Sequence, residues 1–247
     1  MDKRGRFPEV DLLRGAAVIG MVLYHLLFDL DYLGLCQVDA RSGPLLLLAM
    51  LVAGTFLLVV GASLFLSSER SGKRPPFGKY LRRGIKIFAL GMLISAATWI
   101  YSPEEMVRFG VLHLIGVSIV LAYPFFYRPR WSFLAGAAAI AGGLSLSRLD
   151  LPAGPLLWLY PERFNTLDYF PILPWFGIVL IGLALSSLAY GGYQRRFSLP
   201  PCLEELPPLM ALSALGRHSL TIYLLHQPAI FVALELAATV GLLPQPR

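Results

Sequence analysis

From residue 44 to residue 66 the chain runs for 23 residues without a formal charge. Wound as a helix, such a run is long enough to cross a hydrocarbon core of roughly 30 Å. Similar apolar runs recur from one end of the sequence to the other, more than one soluble core can absorb. The balance agrees, with 56% hydrophobic and 15% charged residues, whereas soluble domains carry about a quarter charged residues. The fold class expected is therefore an all-α integral membrane protein, with the lipid bilayer as its main partner and no nucleic acid.

Apolar windows set against charged breaks give about seven spans, over residues 12–35, 44–67, 85–101, 103–126, 132–147, 171–190 and 215–243. The third and fifth are short. The fourth opens on Ser102-Pro103-Glu104-Glu105, which reads as a capping box with proline at the first helical position. Aromatic residues gather where interfaces should lie, Trp99 and Tyr101 at one boundary and Tyr169, Phe170 and Trp175 at another. There is no repeat, linker or low-complexity segment, so residues 1–247 are read as a single domain.

Seven spans put the termini on opposite sides of the membrane, and the distribution of cations chooses between the two orientations. With the N-terminus inside, sixteen Lys and Arg residues fall on the inner side. Only Arg41, Arg108, Arg148, Arg163 and Arg247 fall outside. The positive-inside rule then predicts a cytoplasmic N-terminus and an extracytoplasmic C-terminus. The first six residues resemble a signal-peptide n-region, but no small-residue cleavage site follows, so a retained first helix is expected. Cys36 and Cys202 face opposite sides in this topology and suggest neither a disulfide nor a metal site, so no metal is expected.

An ionisable group inside a span costs roughly 3 kcal/mol on insertion scales, which makes each one a functional hypothesis. The first helix is the most heavily loaded, with Asp11, Arg14, His25, Asp29 and Asp31. Arg14 and His25 are eleven residues apart, about three full turns, so they share a face and lie roughly 16 Å apart along the axis. Asp29 follows His25 by four residues, within reach of its ring N–H, and Asp11 can pair with Arg14 three residues on. A His oriented by a carboxylate is a general base, and an arginine near the inner entrance could hold a phosphate. The same spacing equally suits a structural His–Asp hydrogen bond between helices, with Arg14 as an interfacial anchor.

The segment Glu9-Val10-Asp11-Leu12-Leu13-Arg14-Gly15, followed by His25-Leu26-Leu27-Phe28-Asp29-Leu30, resembles the opening helix of the transmembrane acyltransferase superfamily, with its arginine, ten residues, histidine pattern. More closely, the chain is similar to the bacterial branch related to heparan-α-glucosaminide N-acetyltransferase. Further matches are Arg108 to His113, the stretch from Asp168 through Trp175 to Gly177, and Leu215-Gly216-Arg217-His218-Ser219-Leu220 continuing through Tyr223, His226, Gln227 and Pro228. They occur in order over most of the chain. The resemblance implies transfer of an acyl group, acetyl first, from cytoplasmic acetyl-CoA to an extracytoplasmic acceptor, commonly a sugar of a glycan or glycolipid. It also implies a multi-pass protein of the bacterial cytoplasmic (inner) membrane, and leaves a homodimer open. By that analogy His25 with Asp29 is the catalytic pair and Arg14 contacts the donor. The chain departs from the pattern in one place. The animal lysosomal relatives carry their candidate catalytic histidine in the loop after this helix, and residues 35–43 contain none. Either His25 replaces it or this branch has another activity.

The matching motifs supply candidate substrate contacts: Arg108, His113, Asp168, Trp175, Tyr223, His226 and Gln227. Against that stands a packed His113 with an interfacial Arg108. Tyr223 and His226 share a helix face, and Pro228 frees the carbonyl of Leu224, a break tolerated where it lines a cavity or packs on protein. Between Arg70 and Lys86 seven cations stand against Glu69, and Arg82, Arg83 and Lys86 among them are candidates for CoA phosphates. The positive-inside bias explains such a loop without any ligand. The rival reading is a proton-coupled transporter or exporter, since intramembrane His and Asp residues mark ion paths as readily as catalytic ones. A scaffold role ranks below both because it leaves the polar stripe unexplained.

Overall fold

A computed structural model describes residues 7–36, 39–40, 42–72, 75–149, 156, 158–160, 166–200 and 206–242. Of the expectations above, those on Lys3, Arg4, Arg6, Arg41, Lys73, Arg74, Arg163, Arg247 and Cys202 lie outside these residues. Eight α-helices make up the described chain: α1 (Pro8–Tyr32), α2 (Gly43–Arg70), α3 (Phe77–Tyr101), α4 (Val111–Leu121), α5 (Pro129–Leu146), α6 (Ile172–Ala189), α7 (Pro207–Arg217) and α8 (Ser219–Thr239). A two-residue-per-strand hairpin, Tyr190–Gly191 against Gln194–Arg195, follows α6. The fold is all-α, and α1, α2, α3, α6 and α8 are each long and apolar enough to cross a membrane.

Three helix boundaries differ from the expected spans, each for a local reason. α3 begins at Phe77 rather than residue 85, because Lys79, Arg82, Arg83 and Lys86 ride on its first turns. Long cationic side chains can reach an interface from a helix that starts below it, so charge does not end the helix. The capping box at Ser102 does not form. Ser102 instead closes α3, its N–H bonded to the Thr98 carbonyl at 2.8 Å, and residues 103–105 make a turn. The next helix starts only at Val111 and its 11 residues are too short to cross alone. Finally, the last expected span is two helices. His218, with φ −99° and ψ 12°, separates α7 from α8. α5, one of the two short expected spans, is an 18-residue helix rich in Ala and Gly.

The chain divides into two compact units, and the division falls within α2, between Phe56 and Leu57. The first unit joins α1 and the opening half of α2 to α7 and α8. α1 starts on Pro8, with Glu9 and Asp11 in its first turn, where acidic groups complement the helix dipole. It stops where Gly34 adopts φ 69°. Its buried positions Val10, Asp11, Ala17, Val18, Met21 and Asp29 recur at helical spacing. α7 lies against its first two turns: a side chain at Gly15 would overlap the Leu212 carbonyl, and one at Gly216 would overlap the Asp11 carbonyl. Small residues therefore let these backbones touch, the packing available to helices in lipid.

The second unit holds the rest of α2, α3 to α6 and the hairpin. α5 and α6 meet through Gly136 and Gly177, where a Cβ on Gly177 would stand 2.6 Å from the Gly136 carbonyl, and Ser132 Oγ donates to the Leu180 carbonyl at 2.8 Å. The α2–α3 connection is tied down by hydroxyls, with Tyr123 donating to the Pro75 carbonyl at 2.9 Å and Tyr127 to that of Gly72 at 2.6 Å. Before α4 the chain is extended. Phe109 forms an isolated parallel bridge with Tyr169, and Phe170 N–H donates to the Phe109 carbonyl at 2.9 Å.

The α5–α6 contact gives a direct test with an internal control. Gly142 also lies on α5 but has open space around it. Gly177→Leu is expected to destabilise by about 1–3 kcal/mol through overpacking, read as a lower midpoint of thermal unfolding in detergent. Gly142→Leu should leave the midpoint unchanged or raise it slightly, since leucine is the better helix former.

Candidate functional site

His25 sits in the last third of α1, and its environment fixes which ring nitrogen is basic. Side chains on a helix lean toward its N-terminus, so the imidazole reaches back one turn. There His25 Nδ1 meets the Met21 carbonyl at 2.9 Å. A carbonyl can only accept, so Nδ1 carries the proton and Nε2 carries the lone pair. The sequence reading gave that orienting role to Asp29. Instead Asp29 is engaged across the helix pair: Gln227 Nε2 on α8 donates to its Oδ1 at 2.7 Å. Because His25 leans away from Asp29 toward the N-terminus, the nearer main-chain oxygen takes the bond.

α8 repeats the arrangement. His226 Nδ1 donates to the Tyr223 carbonyl at 2.7 Å, so its Nε2 is likewise the bare nitrogen. The two imidazoles meet edge to face, with ring centroids 4.7 Å apart and planes at 82°. Tyr24 on α1 packs edge-on against His25 at 5.4 Å, and Tyr223 lies 5.7 Å from His226. Asp29 is only 4% exposed and His226 8%. Within this buried pair of helices, Asp29 Oδ2, Gln227 Oε1 and His226 Nε2 have no hydrogen-bond partner among the described residues. All three are acceptors. A buried set of acceptors without donors suits a group that brings N–H or O–H bonds, and Nε2 of an imidazole can take a proton from one.

At the other end of α1, Arg14 and Asp11 form the expected ion pair, with Arg14 Nη1 at 2.7 Å from Asp11 Oδ1. The remaining candidates belong to the second unit. His113 and Asp168 both serve the start of α4. Gly110 N–H donates to His113 Nδ1 at 3.1 Å, and Val111 N–H donates to Asp168 Oδ2 at 3.0 Å. These bonds satisfy main-chain donors that the first turn of a helix leaves open. Gly110 is required there, since a Cβ would overlap the Asp168 carboxylate. His113 is buried against Phe88 and Phe109, its ring contacting the Gly91 position, and its Nδ1 accepts, the reverse of His25 and His226. Arg108 is exposed two residues before Gly110, and Trp175 packs 4.8 Å from Phe170 at the start of α6.

Arg82, Arg83 and Lys86 are exposed along the first turns of α3. Lys79, which was not singled out in the sequence, is the cation most closely engaged there: its ammonium donates to Ser71 Oγ at 2.7 Å and Ser67 Oγ at 3.0 Å. Serines eight and twelve residues upstream, at the end of α2 and in the turn after it, were the available hint. The Met21 carbonyl was the other omission, because a main-chain acceptor leaves no trace in residue identity. Among the described residues no group of three or more His, Cys, Asp or Glu could hold a metal ion.

The α4 cap carries a prediction. Asp168→Ala should destabilise by about 1 kcal/mol, the usual loss for a removed helix cap, and Asp168→Asn by less, because its amide oxygen still accepts. Thermal unfolding of the detergent-solubilised variants measures both.

The sequence matches the family described as heparan-alpha-glucosaminide N-acetyltransferase, catalytic, over residues 6–228. Comparison with curated proteins and with solved structures found no match. The matched stretch contains α1 through Pro228 of α8, and so both histidines of the buried pair. The chain belongs to this family, a family of membrane acetyltransferases.

Proposed function

We propose, from that membership as premise, that the chain moves an acetyl group from cytoplasmic acetyl-CoA to an extracytoplasmic acceptor, a sugar of a glycan or glycolipid. His25 Nε2 is the base. The observation that supports this most is the bond from His25 Nδ1 to the Met21 carbonyl, which leaves Nε2 unprotonated within a buried, acceptor-rich helix pair. In the reaction Nε2 removes the proton from the attacking N–H or O–H as the new C–N or C–O bond forms. The thioester C–S bond breaks, and the imidazolium returns that proton to the departing CoA thiolate. A carbonyl partner orients the ring as a carboxylate would but brings no full charge to stabilise the imidazolium.

The other site residues take roles consistent with where they sit. Arg14, paired with Asp11, is the candidate contact for a donor phosphate, and Arg82, Arg83 and Lys86 form an exposed cationic stretch on α3. His226 and Gln227 face the acceptor beside His25, with Tyr223 at their flank. In the second unit His113 and Asp168 hold the start of α4. The working protein is read as a single domain in the bacterial inner membrane with its N-terminus in the cytoplasm, the orientation that the cation distribution over the seven expected spans favours. A proton-coupled transporter is the second reading, and the buried Asp29 Oδ2 and His226 Nε2, without partners among the described residues, favour it as proton-binding atoms.

Binding and turnover separate these readings. Isothermal titration of acetyl-CoA into the detergent-solubilised protein should show binding, left nearly intact in His25→Ala. Acetyl transfer by that variant should fall by about 10²–10⁴-fold, the range of general base catalysis. Arg14→Ala should weaken acetyl-CoA binding by roughly tenfold or more, since a charge-assisted contact contributes about 1.5–3 kcal/mol, with Lys rescuing only in part. A folded wild-type protein that binds no acetyl-CoA defeats the acetyltransferase and leaves the transporter ahead.

A further inference from the structure

We infer that Asp29 is a positioning residue that acts through Gln227 and so governs recognition of the acyl acceptor, a role that rests on the acetyltransferase reading. A glutamine amide is ambivalent, with a donor end and an acceptor end that exchange places on a flip of the terminal group. Asp29 removes the ambiguity. Its Oδ1 accepts from Gln227 Nε2 at 2.7 Å, and a carboxylate can bind only the donor end. Gln227 Oε1 is therefore turned the other way, buried and without a partner among the described residues. His226 is the neighbouring residue on α8, and its bare Nε2 is likewise buried and without a partner among the described residues. Its ring lies edge to face with that of the base, at 4.7 Å between centroids.

Two adjacent side chains of α8, one of them in ring contact with His25, thus offer buried acceptor atoms, and each is oriented by a bond through its other polar atom. Gln227 is set by the Asp29 carboxylate and His226 by the Tyr223 carbonyl. Such a pair recognises a ligand by the N–H or O–H bonds it donates. It discriminates against one that lacks them, because a buried acceptor left unpaired is costly. Asp29 Oδ2, also buried and without a partner among the described residues, adds a third acceptor to the set.

Two roles for Asp29 predict opposite kinetics. If the carboxylate works by its charge on the imidazolium, its loss lowers kcat. If it works by fixing the Gln227 amide, its loss raises the acceptor KM and spares kcat. Steady-state transfer from acetyl-CoA is measured in detergent with glucosamine, and separately N-acetylglucosamine, as acceptor probes. The variants are Asp29→Asn, Asp29→Ala, Gln227→Ala and the Asp29→Ala/Gln227→Ala double.

Asp29→Ala and Gln227→Ala should each raise the acceptor KM about tenfold, the scale of one lost buried hydrogen bond, with kcat and the acetyl-CoA KM nearly unchanged. The double variant should be no worse than either single one, because both remove the same device. Asp29→Asn retains an oxygen for Gln227 Nε2 and should keep kcat and lose less in KM than Asp29→Ala, which also guards against a variant that fails to fold. The inference is overturned by kcat losses of a hundredfold or more in both Asp29 variants at unchanged acceptor KM. Additive KM losses in the double variant overturn it equally. A folded wild type that transfers acetyl to neither probe and binds no acetyl-CoA overturns the acetyltransferase reading, and this inference with it.

Discussion

An imidazole buried between apolar helices must commit one nitrogen to a partner, and the choice of partner determines what the other nitrogen can do. In α1 that partner is the Met21 carbonyl, which already serves the helix ladder and has a second lone pair to offer. Three consequences follow. Nε2 of His25 keeps its lone pair, Asp29 bonds with Gln227 instead, and Gln227 is turned so that its carbonyl end has no partner among the described residues. His226 on α8 uses the same device through Tyr223. The chemistry of the helix pair thus rests on two main-chain carbonyls that hold the rings in one tautomer.

Close backbone approach makes such a polar cluster tolerable. Helices in lipid gain little from burying apolar surface against one another, and associate by close packing and hydrogen bonds instead. Gly15 and Gly216 let α1 and α7 touch through main-chain atoms. In the second unit Gly136 and Gly177 do the same for α5 and α6. There Asp168 and His113 satisfy the opening N–H groups of α4, a helix that starts inside the fold. The motif from Arg108 to His113 and the one beginning at Asp168 are therefore two sides of one structural joint.

Much of this was legible in the sequence, and the limits have physical causes. Long apolar runs announced the membrane class, and α1, α2, α3, α6 and α8 each cover most of an expected span because hydropathy over some twenty residues dominates any local choice. The Asp11–Arg14 pair was visible because it is local, three residues apart on one helix. The start of α4 was not. Ser102 has the residue type of an N-cap, but the preceding helix uses it as its C-terminal stop, and the true start depends on Asp168, 57 residues from Val111. Asp29 was recognised as important but given to the wrong partner. The i,i+4 rule weighs side chains on one helix and ignores both the main-chain carbonyl behind His25 and the amide 198 residues away on α8. His25 and His226 were each singled out, but nothing local to either says that their rings lie 4.7 Å apart.

The tautomer of His25 tests the account most directly. The chain has four histidines, few enough for ¹⁵N NMR of the histidine-labelled, detergent-solubilised protein to be assigned by substituting them one at a time. At neutral pH His25 and His226 should each show a protonated Nδ1 and a bare Nε2, while His113 shows the reverse. A His25 ring protonated at Nε2 with a bare Nδ1, or protonated at both nitrogens, would contradict the account, since no lone pair would then face the acceptor.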